Sequence, residues 1–347
     1  MFKKSLFLMA TLVMVLNATP LLKTGQTLSY DASGSEINDG SIKDDGFYQK
    51  GMTRNYSRIG DIVTDNVTGL QWQDNEIVLK PWVTQANFDA GDYNNTTGDT
   101  AATYCSELSL GSFDDWRLPD IKELETLVDY NRSDGAYSYA ANVFNNKAQA
   151  YFWSSTSNVH RDSFAWQVDF TYGKSKFLVN EKYESSSSYT RCVRGKHLDE
   201  PSLSSSNEVV SDASTLLQWQ DNEQGEFVEK EWSNAIDYCE TLSLDNHHDW
   251  RLPNIKELLS IADRSNYSSA LDPVFANFDP NYIDYTFWSS TSVVSGESDA
   301  WYVNFYYGEA DDNYKANTSS VRCVRGGQLH KSESPVIMAP IIMYLLN

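Results

Sequence analysis

Apolar residues in this chain follow two rhythms, one stepping by three and four positions and one alternating. Trp232, Ala235, Ile236, Cys239 and Leu242 share one face of a helix, and Ala101, Tyr104, Cys105 and Leu108 repeat that face earlier. A second helical pattern follows each of these: Ile121, Leu124, Leu127 and Val128, then Ile255, Leu258, Leu259 and Ala262. Asp120 with Glu123, and Asn254 with Glu257, have the spacing of a capping box at the start of those helices. Alternation then takes over. Trp166, Val168 and Phe170, and again Trp301, Val303 and Phe305, predict strands. Residues 152–157 and 287–292 read as short strands, and residues 191–194 and 321–325 as closing strands stopped by Gly195 and Gly326. Near the start, residues 62–64 and 67–72 read as two strands around an Asp65-Asn66 turn.

The letters repeat along with the pattern. Asp115-Trp116-Arg117-Leu118-Pro119 returns as Asp249-Trp250-Arg251-Leu252-Pro253, and Leu70-Gln71-Trp72-Gln73-Asp74-Asn75 returns as Leu217-Gln218-Trp219-Gln220-Asp221-Asn222. Phe152-Trp153-Ser154-Ser155 and Arg191-Cys192-Val193-Arg194-Gly195 recur as Phe287-Trp288-Ser289-Ser290 and Arg322-Cys323-Val324-Arg325-Gly326. The period is far longer than that of a stacked solenoid, so two copies, each with its own core, are expected. On this reading the first copy spans 58–197 and the second 209–327, joined by a linker at 198–208 that holds Pro201 and the serines 204–206. Residues 23–57, poor in aliphatics, read as an extended lead-in that packs weakly. Residues 1–22 read as an export signal, with Lys3 and Lys4 before an apolar run and Ala18 at the cleavage position. The apolar tail, 328–347, is too short to span a bilayer.

Composition narrows the function. A formal charge of -21 disfavours nucleic acid, anionic lipid and sulfated polysaccharide as partners. Ten Trp and 21 Tyr with 41% apolar residues call for a packed protein, not a disordered one. Export makes disulfides the natural state of the four cysteines. The duplication assigns the pairs, Cys105 with Cys192 and Cys239 with Cys323, because a unit once alone had only its own two thiols to join. Each bridge closes a long loop, worth roughly 4 kcal/mol in the chain-entropy model. Metal chemistry has little support: the five His form no helical pair, and Asp89, Asp92 and Asp99, in an insert unique to the first copy, lack the spacing of a calcium loop. No nucleophile elbow or phosphate-binding glycine loop is present. Trp116 and Arg117, at the joint between two helices, are expected to be structural: the indole fills the core and the guanidinium satisfies carbonyls or a carboxylate.

Thr68-Gly69-Leu70-Gln71-Trp72, Asp115-Trp116-Arg117-Leu118-Pro119, Lys122-Glu123-Leu124, Phe152-Trp153-Ser154-Ser155, Ala165-Trp166 and Val193-Arg194-Gly195, with their second-copy partners, resemble the Lcl C-terminal domain family, named for a bacterial collagen-like adhesin. One departure is Thr215-Leu216 in place of Thr68-Gly69. A more distant resemblance is to the C-type lectin-like fold. Together they imply an α+β fold of two tandem C-type lectin-like modules, each two helices plus a small antiparallel sheet with one disulfide. The implied protein is secreted, periplasmic or on the cell surface, of binding or adhesive type, without catalysis or cofactor, and its partner is a glycan or a surface protein. Neither copy has the Glu-Pro-Asn or Gln-Pro-Asp triplet of calcium-dependent sugar-binding lectins. Formylglycine-generating enzymes look similar in scaffold but need reactive cysteines; such an enzyme and a structural envelope component are the alternatives. The expected ligand site is in the loops after the second helix: Asn131, Asp134, Tyr137 and Tyr139 in one copy, Asn266, Tyr267, Tyr282, Asp284 and Tyr285 in the other.

Overall fold

The computed structural model describes residues 19–132, 143–183, 188–222, 228–266, 269–278 and 285–327. Strands hold 32% of the chain and helices 13%, so the fold is mostly β and the expected pair of helix-plus-small-sheet lectin-like modules is overturned. The cause lies in strands with no apolar alternation to betray them. Glu309–Tyr314 reads EADDNY and Lys174–Lys176 reads KSK, yet both run through the middle of the main sheet.

That sheet has ten strands, five from each copy. From one edge they are Glu229–Glu231, Thr318–Ser320, Thr286–Ser292, Asp299–Asn304, Glu309–Tyr314, then Lys174–Lys176, Ala165–Asp169, Tyr151–Ser157, Ser188–Thr190 and Val78–Leu79. The order is palindromic, and its central pair is antiparallel with Ala310 opposite Ser175. The copies are therefore related by an approximate twofold axis through that pair.

Each copy adds a four-stranded sheet: Tyr56–Ile59, Ile62–Asp65, Gln71–Gln73 and Val193–Arg194 in the first, Leu203–Ser206, Val209–Asp212, Leu217–Gln220 and Val324–Gly326 in the second. The serines expected in a linker thus form an edge strand. Asn207 and Glu208, at φ 52° and 65°, make the two-residue turn into the next strand, the geometry that suits a hairpin's twist. The turn that Gly69 makes at φ 79° is made by Leu216 at φ 64° in the second copy.

The described residues contain six short helices: α1 (Asp45–Tyr48), α2 (Gln85–Asp89), α3 (Ala101–Ser106), α4 (Ile121–Thr126), α5 (Trp232–Thr241) and α6 (Ile255–Ser260). Both expected capping boxes are formed, at the starts of α4 and α6. The helix α5 is continuous from Trp232, whereas the first copy interrupts the same element after Trp82 and resumes it at Ala101. The Ala101 N–H donates to Pro81 O at 2.8 Å across the insertion. Cys105 bonds to Cys192 and Cys239 to Cys323.

The core is not divided between the copies. One cluster holds Trp72, Phe152, Trp166 and Phe177 together with Trp219, Phe287, Trp301 and Ala310. Only the layer around each disulfide is private to a copy: Trp82, Trp116 and Trp153 in one, Trp232, Trp250 and Trp288 in the other. Polar contacts cross the same junction. Arg264 Nη2 meets Glu125 Oε1 at 2.6 Å, and the buried Lys256 ammonium donates to the last carbonyls of α4, Glu125 O and Thr126 O.

Candidate functional site

The residues repeated in both copies hold the fold. Arg117 grips Glu123 with two bonds of 2.6 and 2.5 Å, as Arg251 grips Glu257 at 2.7 and 2.6 Å. Each glutamate also accepts from the backbone N–H at its own helix cap, Asp120 or Asn254. Arg191 is fully buried, donating to Gln73 O and Asp74 over the Phe144 ring, and Arg322 does the same with Gln220 O and Asp221 over Phe275. Gln73 and Gln220 accept from the backbone N–H of Cys192 and Cys323, fixing the closing strand beside its disulfide. These residues are engaged with partners inside the protein. Function has to be sought where the copies differ.

They differ at the end of the strand that carries Thr156 or Thr291. In each copy this threonine accepts from the first N–H of the neighbouring helix, Ile121 N or Ile255 N, at 3.1 Å. In the second copy the lead-in segment covers the site, which corrects the expectation that residues 23–57 pack weakly. The Thr291 hydroxyl donates to Asp45 Oδ2 at 2.8 Å, the Ser292 N–H donates to Gln26 Oε1 at 2.8 Å, and Asn254 Nδ2 donates to Lys50 O. The Tyr48 ring lies over Arg251, and its hydroxyl donates to Glu240 at 2.8 Å. On the other side the Tyr130 N–H donates to Thr24 O at 2.9 Å. This docking is polar: Thr24, Gln26, Asp44 and Asp45 are buried with few aliphatics among them, so hydrophobic patterning could not reveal it. Burial pushes the Asp45 carboxyl up to about 7, against the opposing pull of its bonds from Thr24 and Thr291. Residues 19–22 join this packing through the buried Leu22, while residues 1–18 and the tail 328–347 lie outside the described residues.

In the first copy the equivalent place is open. Ser155 is exposed and Thr156 and Ser157 are part-exposed, whereas Ser290, Thr291 and Ser292 are buried. The Arg117 side chain keeps 23% of its exposure where Arg251 keeps 4%. A groove of about 410 Å³ lies there, bordered by Asp120 and Thr156 of the first copy, Glu200 from the connection, and Asp263, Arg264 and Asp272 of the second. The insertion after Trp82 closes only the far side: Lys182 Nζ donates to Tyr93 O, Asn94 Oδ1 and the Ser157 hydroxyl. Its counterpart Lys315 is capped instead by Tyr30 O and Asp31 O of the lead-in and by Glu297 O. Burial lowers both ammonium groups to about 8.

The expected ligand residues fall in several places. Asn131 follows α4 and donates its N–H to Asp129, on the side the lead-in covers. Asn266 is part-exposed beside the groove residue Ser265. Tyr285 is in the core, stacked on Phe287, and is removed from any surface site. Asp134, Tyr137, Tyr139, Tyr267, Tyr282 and Asp284 lie outside the described residues. The insert's carboxylates go to separate partners: Asp89 to Gln85, Asp92 to Asn95, Asp99 to Lys80. Asp120, Glu123 and His197 come close enough to share an ion, but Arg117 already takes both oxygens of Glu123. The groove itself rests on a difference between copies that the sequence does not display: Ser155-Thr156-Ser157 and Ser290-Thr291-Ser292 are identical letters, one triplet open and one covered.

Two stretches, residues 61–194 and 208–325, match the model of the Lcl C-terminal domain. No curated protein matches the chain.

Proposed function

Because the chain belongs to the Lcl C-terminal domain family, which points to surface-associated bacterial proteins, we propose that it is an exported binding or adhesion protein that engages a protein or glycan ligand at the cell surface. The observation that carries this reading is the open groove at Thr156, at a position where the second copy already holds a chain segment. A seat that receives backbone and side-chain groups in one copy has the chemistry to receive them in the other. A protein ligand fits this better than a glycan, since the seat's known occupant is polypeptide. The bridged state of all four cysteines leaves no thiol for chemistry of the formylglycine-generating kind, which favours binding over catalysis.

The test is binding of the purified chain to whole cells and to arrays of glycans and surface proteins, beside Ser265→Arg. Ser265 is exposed and lines the groove, so the arginine crowds the groove without disturbing the core. Specific binding that Ser265→Arg abolishes is the expected result. Binding unchanged by that substitution, or no binding at all, would sink the reading.

A further inference from the structure

We propose that the groove at Thr156 docks an extended, positively charged segment of a partner protein, lying as the chain's own lead-in lies in the second copy. This rests on the binding reading above and goes on to specify the partner's chemistry. The approximate twofold supplies the template. Asp120 takes the place of Asn254, Thr156 of Thr291, Ser157 of Ser292, and Asp263-Arg264 of Asp129-Tyr130. In the filled seat, Asn254 donates its amide to a ligand carbonyl, Lys50 O. Asp120 has no amide to give, so the segment at that point must bring a donor: a backbone N–H, an ammonium or a guanidinium.

Charge points the same way. The two cations on the groove wall are already held, Lys122 by Glu200 and Arg264 by Glu125. Asp120, Asp263 and Asp272 each spend one oxygen on a local N–H, from Glu123, Ser265 and Val274 respectively. Among the described residues their charge has no basic partner in the groove except His197, 3.3 Å from the second oxygen of Asp120. A groove of this sign, on a chain of charge -21, attracts cationic segments and repels acidic ones. The lead-in of a second copy is a poor occupant on the same grounds: it would bring Asp44 and Asp45 against Asp120 and Glu123.

Two synthetic peptides copying residues 22–54 provide the probe, one native and one with Asp44→Lys and Asp45→Lys, each titrated by calorimetry into the intact chain and into Asp120→Asn. Asparagine keeps the helix cap, as Asn254 does in the second copy, so the variant should fold; its thermal unfolding checks this. The lysine peptide should bind once per chain and at least tenfold more tightly than the native peptide, and Asp120→Asn should weaken it at least fivefold. Raising the salt to 0.5 M should weaken it too, as roughly expected when screening shortens to a few ångströms. Equal or tighter binding of the native peptide would overturn the assignment of charge and point to a second copy as occupant. Failure of both peptides would overturn the proposal. If Ser265→Arg still abolishes surface binding in that case, the groove remains the binding site and only the partner's chemistry is wrong.

Discussion

Glu125 of the first copy and Arg264 of the second form an ion pair at 2.6 Å with 7% and 2% of their side chains exposed, and the residues related to them by the approximate twofold, Leu259 and Tyr130, lie without charge in the shared buried core. One junction thus shows both solutions to one packing problem. Removing one partner of a buried pair strands the other charge, at a cost of about 3–5 kcal/mol, whereas replacing both by apolar groups is often neutral or stabilising. Glu125→Leu should therefore destabilise by roughly that amount in urea unfolding, and Glu125→Leu with Arg264→Tyr should recover most of it. A double variant no better than the single one would show that the pair has a role beyond filling the junction.

The shared core makes a second expectation. Because Trp166 and Trp301 belong to one buried cluster and the ten strands form one sheet, the copies should unfold in a single transition. Cleavage between Asn207 and Glu208, the turn of the edge hairpin, should leave both halves together on size exclusion without denaturant. Two resolved transitions, or release of fragments on cleavage, would separate the copies into independent units.

This joining of the copies was the part least legible in the sequence. Periodicity located α4, α5 and α6, the capping boxes at Asp120 and Asn254, and the strands at Trp166 and Trp301, because each buries a regular apolar face. It failed where burial is polar or where a strand lies exposed at an edge. The Glu309–Tyr314 strand, the edge strand at the serines and the docking of Thr24, Gln26 and Asp45 are held by ladder bonds and buried hydrogen bonds, which leave no hydrophobic rhythm. The duplication revealed which residues build the fold, among them Arg117 and Arg191. It hid the groove, which depends on what covers each copy and not on the letters of either.

Leu216 provides a third test. It takes the left-handed conformation that Gly69 takes in the first copy, and such a conformation costs a branched side chain roughly 1–2 kcal/mol. The side chain is half exposed, so little burial is lost on removing it. Glycine's larger entropy in the unfolded chain takes back about 0.5–1 kcal/mol. Leu216→Gly should then stabilise the protein by about 0.5–1 kcal/mol in urea unfolding, and Gly69→Leu should destabilise it by about 1 kcal/mol. A loss of stability in Leu216→Gly would mean that the exposed leucine makes contacts worth more than the strain.

The seat of the lead-in should respond to pH, and the direction follows from Asp45. Its carboxyl is raised from 3.8 to about 7 by burial, with the neighbouring charges of Asp44 and Glu257 pushing the same way. Docking therefore favours the protonated form. The stabilisation is fully present below pH 3.8 and is lost as pH climbs through about 7, by at most about 1.4 kcal/mol per pH unit. Burial also raises Asp44, which adds to the trend, while Lys315, lowered to about 8, titrates above this window. Amide exchange, corrected for the intrinsic effect of pH, should show residues 24–48 better protected at pH 5 than at pH 7.5. Asp45→Asn should remove most of that difference and raise protection at pH 7.5, because a neutral amide oxygen still accepts from Thr24 and Thr291. Equal protection at both pH values in the native protein would mean that Asp45 is seated as a carboxylate, and that the polar docking of the lead-in is not proton-linked.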